Sequence, residues 1–160
     1  LPIETHLIMS KSAELTVHHE LDCSVDEIRA LADVYHPVRN VGASVASGSF
    51  QTRGMLLAPC SIRTLGEITT GVTSSLLTRA ADVILKERRR LVLMVRETPL
   101  HLGHLRNMVA VTEMGAVVAP PVPAFYAKPD SVDAMVTQSV ARALDLFDIT
   151  LSETHRWTES

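Results

Sequence analysis

The sequence predicts an α/β fold built on a parallel sheet, and three observations predict it. Short apolar runs recur at His6–Met9, Met55–Ala58, Leu91–Val95 and Ala116–Ala119. Longer stretches with helical spacing lie between them, and strand alternating with helix is the mark of parallel βαβ units. The segments that follow the runs are Ser10-Lys11, Pro59-Cys60-Ser61, Arg96-Glu97 and Pro120 to Tyr126, which are polar or stiff. Ligands of open α/β sheets bind outside the carboxyl ends of the strands, so these four segments predict one shared rim.

Helices are predicted over Ser24–Asp33, Ser74–Glu87, Leu100–Glu113 and Ser131–Phe147. Ser131 is the expected N-cap of the last, and Pro129 keeps the preceding loop from entering the helix early. With 160 residues and no long linker, one domain is expected. Hydrophobic residues make up 46% and charged residues 21%, which excludes disorder and collagen-like fibres. Aromatics are only 4%, so the core must come from Val, Leu, Ile, Ala and Met.

Fifteen Lys or Arg against 18 Asp or Glu leave a net charge of −3, which lacks the basic excess of a nucleic-acid binder. No apolar run approaches the roughly 18 residues of a membrane span. Leu1 to Ser10 lacks the basic start of a secretion signal. Cys23 and Cys60 are too few for a disulfide framework. These features predict a cytoplasmic protein.

Several groups are suited to chemistry. Arg79 and Lys86 are seven residues apart and fall on one helical face, which fits either a solvated edge or an anion cradle. Arg96 and Glu97 lie at a strand end, ahead of Thr98-Pro99, which can open the next helix. Arg142 on the last helix offers a further cation, and arginine forks with a lysine point charge suit a phosphate. Glu97 fits an ion pair with Arg96 or an acid/base role equally well. Tyr126 suits packing in its proline-rich loop or donation to an anion, with packing favoured.

Cys60 has no histidine at an activating spacing and reads as a small packing residue. His101 and His104 share a helical face but lack a third ligand, and His18 and His19 point apart, so no metal site is expected. The run Arg88 to Arg90 fits a helix end whose dipole favours cations.

The segment Thr78 to Arg89, followed by Arg96-Glu97-Thr98-Pro99-Leu100 and Pro121-Val122-Pro123-Ala124-Phe125-Tyr126, closely resembles the flavin prenyltransferase family, also called UbiX-like or Pad-type. Met9-Ser10-Lys11, Ser47-Gly48-Ser49-Phe50 and Pro59-Cys60-Ser61 with Thr64-Leu65 match in the same order and spacing. The resemblance covers nearly the whole chain. It implies a single flavodoxin-like Rossmann domain over 1–160 with a three-layer parallel sheet, and a tail at 148–160 that closes the site.

The resemblance also implies an activity. A dimethylallyl group passes from dimethylallyl phosphate to N5 and C6 of reduced FMN, without a metal. The prenylated FMN then serves a UbiD-type decarboxylase of aromatic acids, including ubiquinone precursors. Direct FMN-dependent decarboxylation and a non-catalytic flavin-binding subunit are the competing readings.

Position by position, Lys86, Arg96, Tyr126 and Arg142 would hold the donor phosphate, with Arg79 near the same pocket. Glu20 and Glu97 would handle protons at the reacting centre beside Lys86. Ser10, Ser61, Thr64 and Arg96 would contact the flavin, Ser49 would lie in a covering loop, and Trp157 would close the site. A homo-oligomer, a dodecamer built of trimers with sites at subunit contacts, is also implied.

Against the family pattern, the resemblance implies either an N-terminally shortened form or a start placed late. The family's first strand with its Gly-Ala-Ser-Gly turn, about 25 residues at the usual size of a βα unit, is expected to fall before Leu1. Gly42-Ala43-Ser44 does not replace that turn, since no clear strand is expected before it.

Overall fold

A computed structural model describes residues 3–152. Five strands run β1 His6–Met9, β2 Val34–Pro37, β3 Gly54–Cys60, β4 Arg90–Val95 and β5 Val117–Val118. Six α-helices join them: α1 Lys11–Glu20, α2 Val25–Arg29, α3 Ile62–Thr70, α4 Leu76–Lys86, α5 Leu102–Glu113 and α6 Val132–Asp145. Every strand pairing is parallel, as the alternation of elements requires. The pairing forms two ladders, β1–β2 and β3–β4–β5.

The core follows from the position of β4. It lies between β3 and β5, so its residues are buried on both faces, and Leu91 through Val95 read as an unbroken apolar run. Leu91, Leu93 and Val95 pack with Leu65 and Ile68 of α3, Ala81 and Ile84 of α4, and Val111 of α5. On the other face, Met94 lines a crevice shared with Gln138, Ala143 and Leu146 on and just beyond α6. Helices on both faces of a parallel sheet give the three-layer, flavodoxin-like arrangement.

The smaller ladder has its own cluster of Met9, Val17 and Val25, with Leu7, Cys23, Ile28 and Tyr35 packed against it. Arg29 ties this part together. Its guanidinium reaches Glu14 at 2.6 Å and Asp26 at 2.8 Å and lies 4.7 Å over the Tyr35 ring. Helix α4 packs against β1, β3 and β4, so one helix joins the two ladders.

Three elements were absent from the sequence expectation. Helix α1 buries only Val17, so its apolar period is weak. Helix α3 alternates its two buried residues, Leu65 and Ile68, with Thr, Gly and Glu, and Gly71 ends it in a left-handed conformation. Strand β2 begins directly after the stretch Ser24–Asp33 expected to be helical, and the helix there stops earlier, at Arg29, after a Ser24–Glu27 capping box. That strand precedes Gly42, contrary to the expectation that no strand does. The segment at Gly42-Ala43-Ser44 nonetheless forms a turn into a short 3₁₀ helix, Ser44–Ala46, and not a strand-to-helix turn.

Between β1 and β2, the His6 and His36 rings stack with their centroids 5.1 Å apart, and His6 Nδ1 lies 2.8 Å from His36 Nε2. Burial, reinforced by His6, holds the His36 imidazole below its ordinary pKa. A group whose folded pKa is depressed adds stability above its unfolded pKa and loses it as the pH falls through the folded one. Thermal melts should therefore weaken from about pH 6.5 downward, the unfolded value for histidine. His36→Gln should flatten that loss above pH 5, where the lowered carboxylates of Glu27, Asp33 and Glu87 stay ionised. Parallel losses in both proteins would rule out this origin.

Candidate functional site

The rim at the carboxyl ends of the strands is built by helix caps. Ser10 ends β1 and caps α1, its Oγ accepting the Ala13 N–H at 3.1 Å. Ser61 ends β3 and caps α3; its Oγ accepts the Thr64 N–H at 3.1 Å and donates to Thr64 Oγ1 at 3.0 Å. Serine hydroxyls at such positions leave the first turns of two helices pointing at the rim, a setting that favours polar and anionic ligand groups.

Arg96 follows β4 directly. Its N–H donates to Cys60 O at 3.2 Å, which fixes it beside the end of β3. Glu97 turns away from its neighbour: its carboxylate accepts the Thr98 N–H at 3.0 Å, and among the described residues no Arg96–Glu97 ion pair forms. The loop after β5 begins where Ala119 N–H donates to Leu93 O at 2.8 Å. It carries Val122 and Phe125, about three-quarters exposed at 72% and 73%, and Tyr126 at 56%. Arg142 on α6 lines a crevice of about 210 Å³ under this loop with Met94, Pro121, Val122 and Gln138, and it pairs with Asp145 at 2.7 Å.

A second group of predicted residues lies at the opposite edge. Lys86 ends α4, four residues before β4 begins, whereas Arg96 follows β4's last residue. Six strand residues separate these positions by about 20 Å. Lys86 pairs with the adjacent Glu87, whose carboxyl its ammonium holds below the usual range. Ser49 lies on this edge too, in the turn Ser47–Phe50, where the Ser47 and Ser49 hydroxyls are 2.9 Å apart.

Arg79 is one turn into α4, whose first N–H, at Leu76, donates to Val38 O beyond the end of β2; it pairs with Asp82 at 2.9 Å. Glu20 closes α1, about 15 Å of helical rise from the Ser10 cap. One chain therefore places Ser61, Thr64, Arg96 and Glu97 at the carboxyl ends of β3 and β4 and Ser10 at the carboxyl end of β1, and it places Lys86 and Ser49 at the edge where β4 begins. Trp157 lies outside the described residues.

Cys60 is fully buried and its thiol is pushed up to about 12 by desolvation. The reactive form is the thiolate, so Cys60 should resist alkylation in the folded protein even at pH 9 and react once the chain is unfolded. Rapid labelling of native Cys60, read by peptide mass spectrometry, would contradict this. His101 and His104 stack with centroids 3.5 Å apart and cap α5, where His101 Nδ1 accepts the Gly103 N–H at 3.0 Å. The run Arg88 to Arg90 predicts Arg89 to be helix-end charge. In the structure its guanidinium donates to the carbonyls of Gly48 and Phe50, each at 2.7 Å, a pairing across about forty residues that no local pattern reveals.

A family profile described as Flavoprotein matches residues 2–144. The flavin prenyltransferase UbiX of Neisseria meningitidis is 59% identical over 155 residues, 97% of this chain and 82% of that protein. The chain belongs to the flavin prenyltransferase family. AnUbiX (PadA1), solved in complex with FMN and dimethylallyl pyrophosphate, superposes with a TM-score of 0.96 at 52% identity, over 98% of this chain and 84% of that one. A dodecameric FMN-dependent UbiX-like decarboxylase from Escherichia coli O157:H7 gives 0.95 at 47% identity, again over 98% and 84%. These two structures share the fold over 98% of this chain.

Proposed function

We propose that this chain, as a single flavin-binding domain, transfers a dimethylallyl group from dimethylallyl phosphate to reduced FMN. The observation that carries this reading is the 52% identity to a structure solved with FMN and a dimethylallyl donor. The donor set fits the acceptor: hydroxyls of Ser10, Ser61 and Thr64 and the Arg96 guanidinium offer hydrogen bonds to the polar edge of a flavin. Reduced FMN, when bound, supplies the electron-rich ring that accepts the allyl carbon.

The remaining work falls to the protein. As the donor's carbon–oxygen bond breaks, its electron pair leaves with the phosphate, and a new bond forms between the allyl carbon and the flavin. Cations fixed before the reaction stabilise the charge that gathers on the leaving group. Arg96, Arg142 and Lys86 with the Tyr126 hydroxyl are assigned that task, and Arg79 the flank of the pocket. Glu97 and, from a neighbouring copy, Glu20 at the far end of α1 are assigned the proton lost from the flavin and the one gained by the phosphate.

The division of these residues between two edges supports a site completed by a second copy. A lysine side chain extends only about 6 Å and cannot bridge the length of β4. A neighbour's Lys86 edge, with Ser49, would meet this chain's Arg96 rim, and the exposed Val122, Phe125 and Tyr126 would be covered by that contact. A dodecamer of the kind solved for the Escherichia coli relative offers such contacts.

The product would serve a UbiD-type decarboxylase of aromatic acids in the cytoplasm, with ubiquinone precursors as one substrate class. The test is anaerobic incubation of the protein with reduced FMN and dimethylallyl phosphate, followed by mass spectrometry of the flavin. A mass gain of one prenyl unit is expected. Carbon dioxide release from an aromatic acid without a partner enzyme, and no modified flavin, would replace this reading with direct decarboxylation. Neither outcome, with stable binding to a decarboxylase, would make the chain a flavin-binding subunit.

A further inference from the structure

We infer that Arg89 is a positioning residue for the donor site, acting through the turn Ser47–Phe50, and that Gly48 is the seat on which this action depends. The inference rests on the proposed activity and extends it to two residues that would touch neither FMN nor the prenyl donor.

The geometry is specific. Arg88 adopts a left-handed conformation at φ 57° just past α4, and the Arg89 N–H returns to Ile84 O at 2.9 Å. The chain therefore reverses, and the Arg89 fork closes on two carbonyls of one turn, Gly48 O and Phe50 O, at 2.7 Å each. Two parallel N–H donors fix the orientation of the turn as well as its distance, which a lysine point charge cannot do. Ser49 lies between the two held carbonyls.

Gly48 faces the Lys86–Glu87 pair. A Cβ at this position would lie 2.7 Å from Lys86 Nζ and 2.7 Å from Glu87 Cδ, so the backbone of the turn rests directly on the pair. Arg89 thus holds the roof and Gly48 lets the roof sit low. Together they limit where the half-exposed Lys86 ammonium can sit. Phe50 anchors the far side of the turn, its ring edge-on to His6 with centroids 5.3 Å apart.

The test uses Arg89→Gln, Arg89→Lys and Gly48→Ala in the full chain, with wild-type conversion of FMN as the control. If the wild type makes no prenylated flavin, the proposed function fails; the hydrogen-exchange arm below still tests the clamp. With an active wild type, Arg89→Gln should raise KM for dimethylallyl phosphate about tenfold, as expected for two lost charge-assisted bonds, and leave the Kd for FMN within about twofold. Arg89→Lys should fall between. Gly48→Ala should raise KM similarly at an almost unchanged Tm, because the methyl group displaces only flexible side-chain ends.

In a Lys86→Ala background, Arg89→Gln should add little further loss, since both act through one ammonium. Amide exchange across residues 47–50 should quicken in Arg89→Gln, with or without ligands. The inference is overturned by a wild-type KM in Arg89→Gln, by an equal loss of FMN binding, by full additivity with Lys86→Ala, or by unchanged exchange in the turn.

Discussion

Lys86→Ala should lower kcat/KM for dimethylallyl phosphate by about 100- to 1,000-fold, the effect of deleting one preorganised charge at a developing oxyanion. FMN affinity should be nearly unchanged, because Lys86 is assigned to the donor's phosphate, while the hydroxyls of Ser10, Ser61 and Thr64 with Arg96 are assigned to the flavin. The size of the effect follows from timing: the ammonium gains most as the phosphate departs, so its loss is felt in the transition state more than in either ground state. Single-turnover mass spectrometry of the flavin, alongside fluorescence titration of FMN, separates the two quantities. Equal damage to both would remove Lys86 from the donor site.

Co-assembly of two inactive variants should restore activity. Lys86→Ala and Arg96→Ala are each expected to be nearly inactive as pure proteins. Coexpressed or refolded together at equal amounts, they should recover about one quarter of wild-type turnover. A site needs an intact lysine from one copy and an intact arginine from its neighbour, each present half the time in a symmetric assembly. Recovery near zero from a mixed oligomer, verified by native mass spectrometry, would mean that both groups act within one chain. Such a result would require the chain to deform well beyond the geometry of β4.

The larger ladder was legible in the sequence because burial on both faces leaves an unmistakable mark. Leu91 to Val95 cannot be anything but a central strand once the flanking helices are recognised, and Ser131 announces α6 through its cap, with Ala134 N–H donating to its Oγ at 3.1 Å. The smaller ladder was less legible, since β2 is four residues with Pro37 at its end and one buried side chain, His36. A buried histidine in a short strand looks like a loop residue until its stacking partner is seen.

The rim residues could be anticipated because strand ends position ligands by topology. The separation of Lys86 from Arg96 could not be read from helical spacing. It depends on which end of a strand each residue meets, and that emerges only when α4 is laid antiparallel to β4. Arg89 was hidden for a related reason: its partners are backbone carbonyls, which every residue possesses.

Helix α4 is the member that spans both ladders, and it ends in the lysine assigned to the donor. The segment 6–37 depends on it for much of its anchorage, having only three well-buried apolar side chains of its own cluster. Opening of that lobe would therefore be among the cheapest excursions of the native protein. An anion seated on Lys86 would tighten the far end of the same rod, so ligand occupancy at one edge should make a protease slower to cut at the other.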